Sequence, residues 1–202
     1  MVLEIDGVRL LTDPGNFTAE RNVQNRINAV LITHEHQDHL HIESLKKVLE
    51  SNPGMVIVAN SAVGLILEKE GIPYTKVGDG QSTDINGVAI EGFGKNHALV
   101  YPPDAGLVEN TGYFVGGKFY FPGDNFHNPD KQVDVLALPV AGPWMKLADA
   151  VDFAKIIKAR TAFGVHDGMI QPFFRGFVGN LLKTFVPETE YVSLQDGETK
   201  EF

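Results

Sequence analysis

The sequence predicts a mixed α/β protein built as a two-sheet sandwich with helices on its outer faces. Three observations carry that prediction. Helical patterns fall in both halves of the chain, each half also carries hairpin turns, and the apolar runs AVLIT (29–33) and DVLALPV (134–140) read as strands covered on both faces. A chain of 202 residues buries a sizeable core in one domain, and no Pro-, Gly- or Ser-rich linker, repeat or low-complexity tract divides it. Residues 1–202 are therefore read as a single domain.

The elements follow in order. Val2–Ile5 and Val8–Leu11 are expected as strands joined by the hairpin turn Asp6-Gly7, and Ala29–Thr33 as a buried strand. Ile42–Glu50 places Ile42, Leu45, Val48 and Leu49 on one helical face, and Asn52-Pro53-Gly54 ends that helix. Met55–Ala59 reads as a strand, and Ser61 is expected to cap the next helix, which stops at Gly71. Strands then dominate: Ser82–Ile85 and Val88–Phe93 flank Asn86-Gly87, and Gly112–Val115 and Lys118–Phe121 flank Gly116-Gly117. The last third alternates strand Val133–Val140, helix Leu147–Ala159, strand Ala162–Val165, helix Phe173–Phe185 and strand Tyr191–Leu194.

Composition narrows the function. Cysteine is absent, which removes disulfides, thiolate metal ligands and a cysteine nucleophile together. A formal net charge of −9 disfavours wrapping nucleic acid or lying on an anionic membrane. No apolar run reaches the roughly 18–20 residues of a membrane span. The N-terminus MVLEIDGVRLLTDPG shows no basic leader followed by an apolar block, so a cytoplasmic protein acting on a small molecule is expected.

The informative segment is Thr33-His34-Glu35-His36-Gln37-Asp38-His39, directly after a strand. A polar loop or histidines satisfying a helix start would be the ordinary reading of any one residue. Clustered together, these imidazoles and the carboxylate suit zinc, iron or manganese, and a tight loop that aims His34 and His36 one way and Asp38 and His39 another makes two adjacent metal positions. His97, Asp124 and His166 each follow a strand, where sheet scaffolds carry their site residues.

The pattern His34-x-His36-x-Asp38-His39, then His97, Gly123-Asp124 and His166, resembles the metallo-β-lactamase superfamily over nearly the whole chain. The resemblance implies a four-layer αββα sandwich with a dinuclear site between the sheets. It assigns His34, His36 and His97 to one metal and Asp38, His39 and His166 to the other, with Asp124 bridging. Thr12-Asp13-Pro14-Gly15 resembles the family's early strand-end segment, whose aspartate supports the metal loop. Ala141-Gly142-Pro143-Trp144-Met145 is similar to a loop of the small single-domain hydrolases related to the ascorbate-phosphate lactonase, although relatives tend to have Phe-Thr where Pro143-Trp144 stands here. Relatives also open with a strand and a Gly-His-Ser-like turn ahead of the segment that begins here at Val2. Its absence leaves a sheet edge for a homo-oligomer to pair through, or marks a start placed too late.

The implied chemistry is hydrolysis of a small anionic ester, lactone or phosphodiester by a metal-bridging hydroxide. Two divalent ions less Asp38, Asp124 and the hydroxide leave about one net positive charge to attract an anionic group. Zinc suits the donors best, and manganese, iron or nickel use the same ones. Asp38 and Asp124 are the catalytic carboxylates, Asp38 also a proton shuttle, and His127 is a candidate proton donor or substrate-orienting group that equally fits an ordinary loop histidine. His41 is expected at the helix start rather than on a metal, and Glu35 and Gln37 pointing away. Lys95 and Lys146 suit a phosphate as point charges but more ordinarily sit in solvent. Trp144 and Met145 would wall an apolar pocket or simply pack in the core, and Tyr101 with Pro102-Pro103 forms a possible lid. An iron-dependent oxidoreductase of the same fold and a non-catalytic metal-binding protein are the alternatives. Both are disfavoured here, since His36 stands where the di-iron oxygen reductases carry glutamate and no ligand of the set is lost.

Overall fold

The computed structural model describes residues 1–101 and 108–202, so the suggested Pro102-Pro103 lid lies outside the described residues. Among them, strands β1 (Val2–Ile5), β2 (Val8–Thr12), β3 (Ala29–Ile32), β4 (Val56–Ala59) and β5 (Thr75–Lys76) form a sheet in that spatial order. The β1–β2 hairpin is antiparallel and the remaining pairs are parallel. Strands β6 (Ser82–Ile85), β7 (Val88–Phe93), β8 (Gly112–Val115), β9 (Phe119–Phe121), β10 (Val135–Pro139), β11 (Thr161–Val165) and β12 (Glu190–Val192) form the second sheet, ordered from β12 to β6. It is antiparallel from β6 to β9 and parallel from β9 to β12.

The apolar runs are continuous because each of their faces is covered. Ala29 and Leu31 of β3 join Ile90, Tyr113, Phe119, Ala137 and Phe163 in the core between the sheets. Val30 and Ile32, one residue out of phase, point the other way against Leu45 and Val48 of α1 (Ile42–Ser51) and Val63 and Leu67 of α2 (Ser61–Lys69). The second sheet repeats the arrangement: Val135 and Ala137 face inward, while Leu136 and Leu138 pack under α3 (Leu147–Ile157) and α4 (Pro172–Phe185). The result is the expected αββα layering. Truncating fully buried Leu31 to alanine would cost about 2–5 kcal/mol.

Two local expectations change. The side chain that caps α2 is Asn60, whose Oδ1 accepts from the Val63 amide at 3.0 Å, rather than Ser61. Asn60 wins because its Nδ2 also donates to the Thr33 carbonyl at 2.9 Å, tying the helix to the neighbouring strand end. The strand β5 escapes the pattern because two residues carry no periodicity. None of the helices among the described residues is long and apolar enough to cross a membrane.

Candidate metal centre

The clustered residues meet at the carboxyl ends of the strands. His34 follows β3, His97 follows β7, Asp124 follows β9 and His166 follows β11. Two close backbone approaches shape the loops. Gly15 lies so near the Asp38 carbonyl that a Cβ there would overlap it. Gly123 has φ +66°, and a Cβ would strike Asn110 Oδ1, the group that accepts from the Asp124 amide at 3.0 Å. Asn110 is itself buried and donates to the Pro122 carbonyl at 2.9 Å, so it fixes the turn that delivers Asp124.

Hydrogen bonds set which nitrogen each imidazole presents. Asp13 can only accept, so His39 Nδ1 donates to its Oδ2, at 2.7 Å. Thr33 Oγ1 donates its single proton to the same Oδ2, at 2.7 Å, and therefore accepts from His34 Nδ1 at 3.0 Å. His97 Nδ1 donates to the Ala98 carbonyl. Each of these three rings is left with its Nε2 lone pair turned inward.

Three triads of donor atoms result, each with its atoms within 4.8 Å of one another: His34, His36 and His97; His34, His39 and Asp124; and Asp38, His39 and His166. The first and third coincide with the two sets that the resemblance implies. Asp124 touches both. Its Oδ1 is 3.3 Å from His39 Nε2, and its Oδ2 is 3.4 Å from His97 Nε2 and 3.3 Å from His166 Nε2. Asp38 Oδ2 lies 3.3 Å from His166 Nε2 and 3.6 Å from His39 Nε2. Nε2 of His39, His97 and His166 are buried with no hydrogen-bond partner. Orphaned nitrogens are costly in a packed interior unless another ligand uses them, and imidazole with carboxylate is a donor set for a divalent metal. The residues fit such an ion.

The crowding of imidazoles and carboxylates shifts their titration in both directions. Burial pushes His34 well below its ordinary value, with His39 adding to the effect, so the ring stays neutral. Burial and then His97 lower His36. Burial alone would also depress His166, but the Asp124 and Asp38 carboxylates, each 3.3 Å from its Nε2, outweigh it and push it up to about 10. Burial would raise Asp124, yet the imidazoles of His166 and His97 beside it hold it well below the usual carboxylate range.

The other candidates lie elsewhere. His127 is exposed, its ring over Gly94 and its carbonyl accepting from Tyr120 Oη at 2.9 Å, outside all three triads. His41 begins α1, with Nδ1 2.8 Å from Ser44 Oγ. Gln37 is exposed and Glu35 half-buried. Lys95 pairs with Asp79 at 3.6 Å beside an open cleft, and Lys146 is exposed at the start of α3. Trp144 is buried, as core packing requires, but its Nε1 donates to Asp124 Oδ2 at 2.7 Å.

Residues 1–166, a span that ends on His166, match the beta-lactamase superfamily domain. The chain belongs to the beta-lactamase superfamily. Protein Rv0786c of Mycobacterium tuberculosis is 33% identical, over 87% of this chain and 84% of its own. The UPF0173 metal-dependent hydrolase LI0883 of Lawsonia intracellularis is 24% identical, over 98% and 94%. A solved structure from Parabacteroides distasonis superposes with a TM-score of 0.76 over 96% of this chain and 89% of that one, at 23% identity, a likeness of fold. Within this superfamily chain, Asn60 and Asn110 contribute without any motif signal, and Trp144, expected as pocket wall or core, is in addition a donor to Asp124.

Proposed function

We propose that this chain is a dinuclear metal-dependent hydrolase acting on a small anionic ester, lactone or phosphodiester. One observation carries the reading: three buried, unpartnered Nε2 atoms, of His39, His97 and His166, converge on the single carboxylate of Asp124. His34, His36 and His97 would hold one ion, Asp38, His39 and His166 the other, and Asp124 both. Divalent ions held there supply Lewis acidity and a water acidified into the neutral range. The name of the Lawsonia relative supports the reaction class, and zinc suits these donors.

The chain's own groups do the rest. Asp13, Thr33 and the Ala98 carbonyl hold His39, His34 and His97 in single tautomers, so no reorganisation is needed when substrate arrives. Asp38 is half-buried, and its Oδ2 can take a proton from the attacking water and pass it to the leaving group. The absence of cysteine suits a reducing, cytoplasmic setting.

Turnover of bis(p-nitrophenyl) phosphate and a panel of lactones, before and after chelation, tests the reading. Activity lost to chelator and restored by zinc or manganese is expected. Activity indifferent to chelation contradicts it, and a single iron with no hydrolysis favours the oxidoreductase alternative.

A further inference from the structure

We propose that Trp144 is a positioning residue for Asp124, its indole N–H fixing how that carboxylate is shared between the two metal positions. The inference rests on the reading of Asp124 as a metal ligand. Trp144 stands on the loop before α3, 8% exposed, with its ring 5.1 Å from that of Phe126 and 6.0 Å from that of His97. A residue that merely filled space there would need no polar atom. Instead its Nε1 lies 2.7 Å from Asp124 Oδ2.

The two oxygens of Asp124 have unequal surroundings. Oδ1 lies 3.3 Å from His39 Nε2, whereas Oδ2 faces His97 Nε2, His166 Nε2 and the indole. An indole N–H is a donor only, so it occupies one lone pair of Oδ2 and draws electron density from it. Together with the bond from the Asp124 amide to Asn110, this pins the residue at its main chain and at one carboxylate oxygen, leaving little freedom of rotation. Gly142 makes the room. A Cβ at that position would stand 2.7 Å from Nε1 and displace it. Partners of this kind typically change metal affinity by about 10- to 100-fold when removed.

The test is Trp144→Phe, which keeps the ring against Phe126 and removes the N–H, with Gly142→Ala as a second variant that keeps the indole N–H but crowds it off Asp124. Zinc affinity is measured by competition with a chromophoric chelator, and the melting temperature of the metal-free protein is recorded alongside. Because Trp144 is the chain's single tryptophan, its emission in the parent and in Gly142→Ala also reports zinc at Asp124. The expected result is a loss of about 10- to 100-fold in affinity at one site in both variants, with parent emission shifting in step with occupancy. Unchanged affinity in Trp144→Phe overturns the assignment whatever happens to the melting temperature. If that variant does not fold, unchanged affinity in Gly142→Ala overturns it. A parent that binds no zinc contradicts the metal centre itself, a separate outcome.

Discussion

Asp13 and His39 stand 26 residues apart in sequence and share a hydrogen bond of 2.7 Å between Oδ2 and Nδ1. The same carboxylate accepts from the Thr33 amide through Oδ1 at 2.8 Å and from the Thr33 hydroxyl through Oδ2. Asp13 thus presets two rings, His39 directly and His34 through Thr33, before any ion arrives.

Asp13→Asn should therefore weaken metal binding by about 10- to 100-fold while leaving the strands intact. Its amide can still accept from Thr33 but cannot hold His39 as firmly in one tautomer. Metal competition titration with a circular dichroism spectrum checks this, and parent-like affinity would remove Asp13 from the account.

His41 follows His39 by two residues, and its place at the helix start separates it from the candidate ligands. Its Nδ1 meets Ser44 Oγ and its Nε2 lies 3.0 Å from Glu43 Oε2, so it organises the start of α1. His41→Ala should keep the full metal content and lose no more than about 1 kcal/mol of stability. Elemental analysis and chemical denaturation decide it.

Gly15→Ala places a methyl group on the Asp38 backbone, and the loop between β3 and α1 must shift to admit it. A cost of about 1–3 kcal/mol follows from overpacking. The metal position that uses Asp38 and His39 should suffer before the one that uses His34, His36 and His97. Thermal unfolding with a metal count per site measures both.

In the metal-free chain Asp124 and Asp38 keep His166 protonated up to about 10, and Asp13 with the two other carboxylates outweighs burial to raise His39. A cationic imidazole cannot bind a metal, so loading must expel protons. Below about 10, apparent metal affinity should rise with pH and fall as the rings regain their protons. Calorimetry at neutral pH in two buffers of different ionisation enthalpy should report at least one proton released, and a buffer-independent heat would contradict it.

Much of this was legible in the sequence, for identifiable reasons. Runs such as Ala29–Ile32 and Val135–Pro139 are apolar without interruption, and only strands covered on both faces account for them. The candidate ligands are rare residue types packed into one loop or set at strand ends, which separates them from ordinary polar residues. Asn110 offered no such signal, because an asparagine before a strand is an ordinary turn residue until its partner, the Asp124 amide, is known. Trp144 reads as core or as the wall of an apolar pocket, and only the three-dimensional approach to Asp124 reveals its indole N–H as a donor. At Asn60-Ser61 two cap-competent residues stand side by side, and the tie to the Thr33 carbonyl decides between them.

In the proposed centre Asp124 joins two triads across a pair of ions. Native mass spectrometry of protein loaded with zinc, on the parent chain and on Asp124→Ala, tests it most directly. Two ions per parent chain and fewer in the variant are expected. One ion or none in the parent, or two retained in the variant, would contradict it.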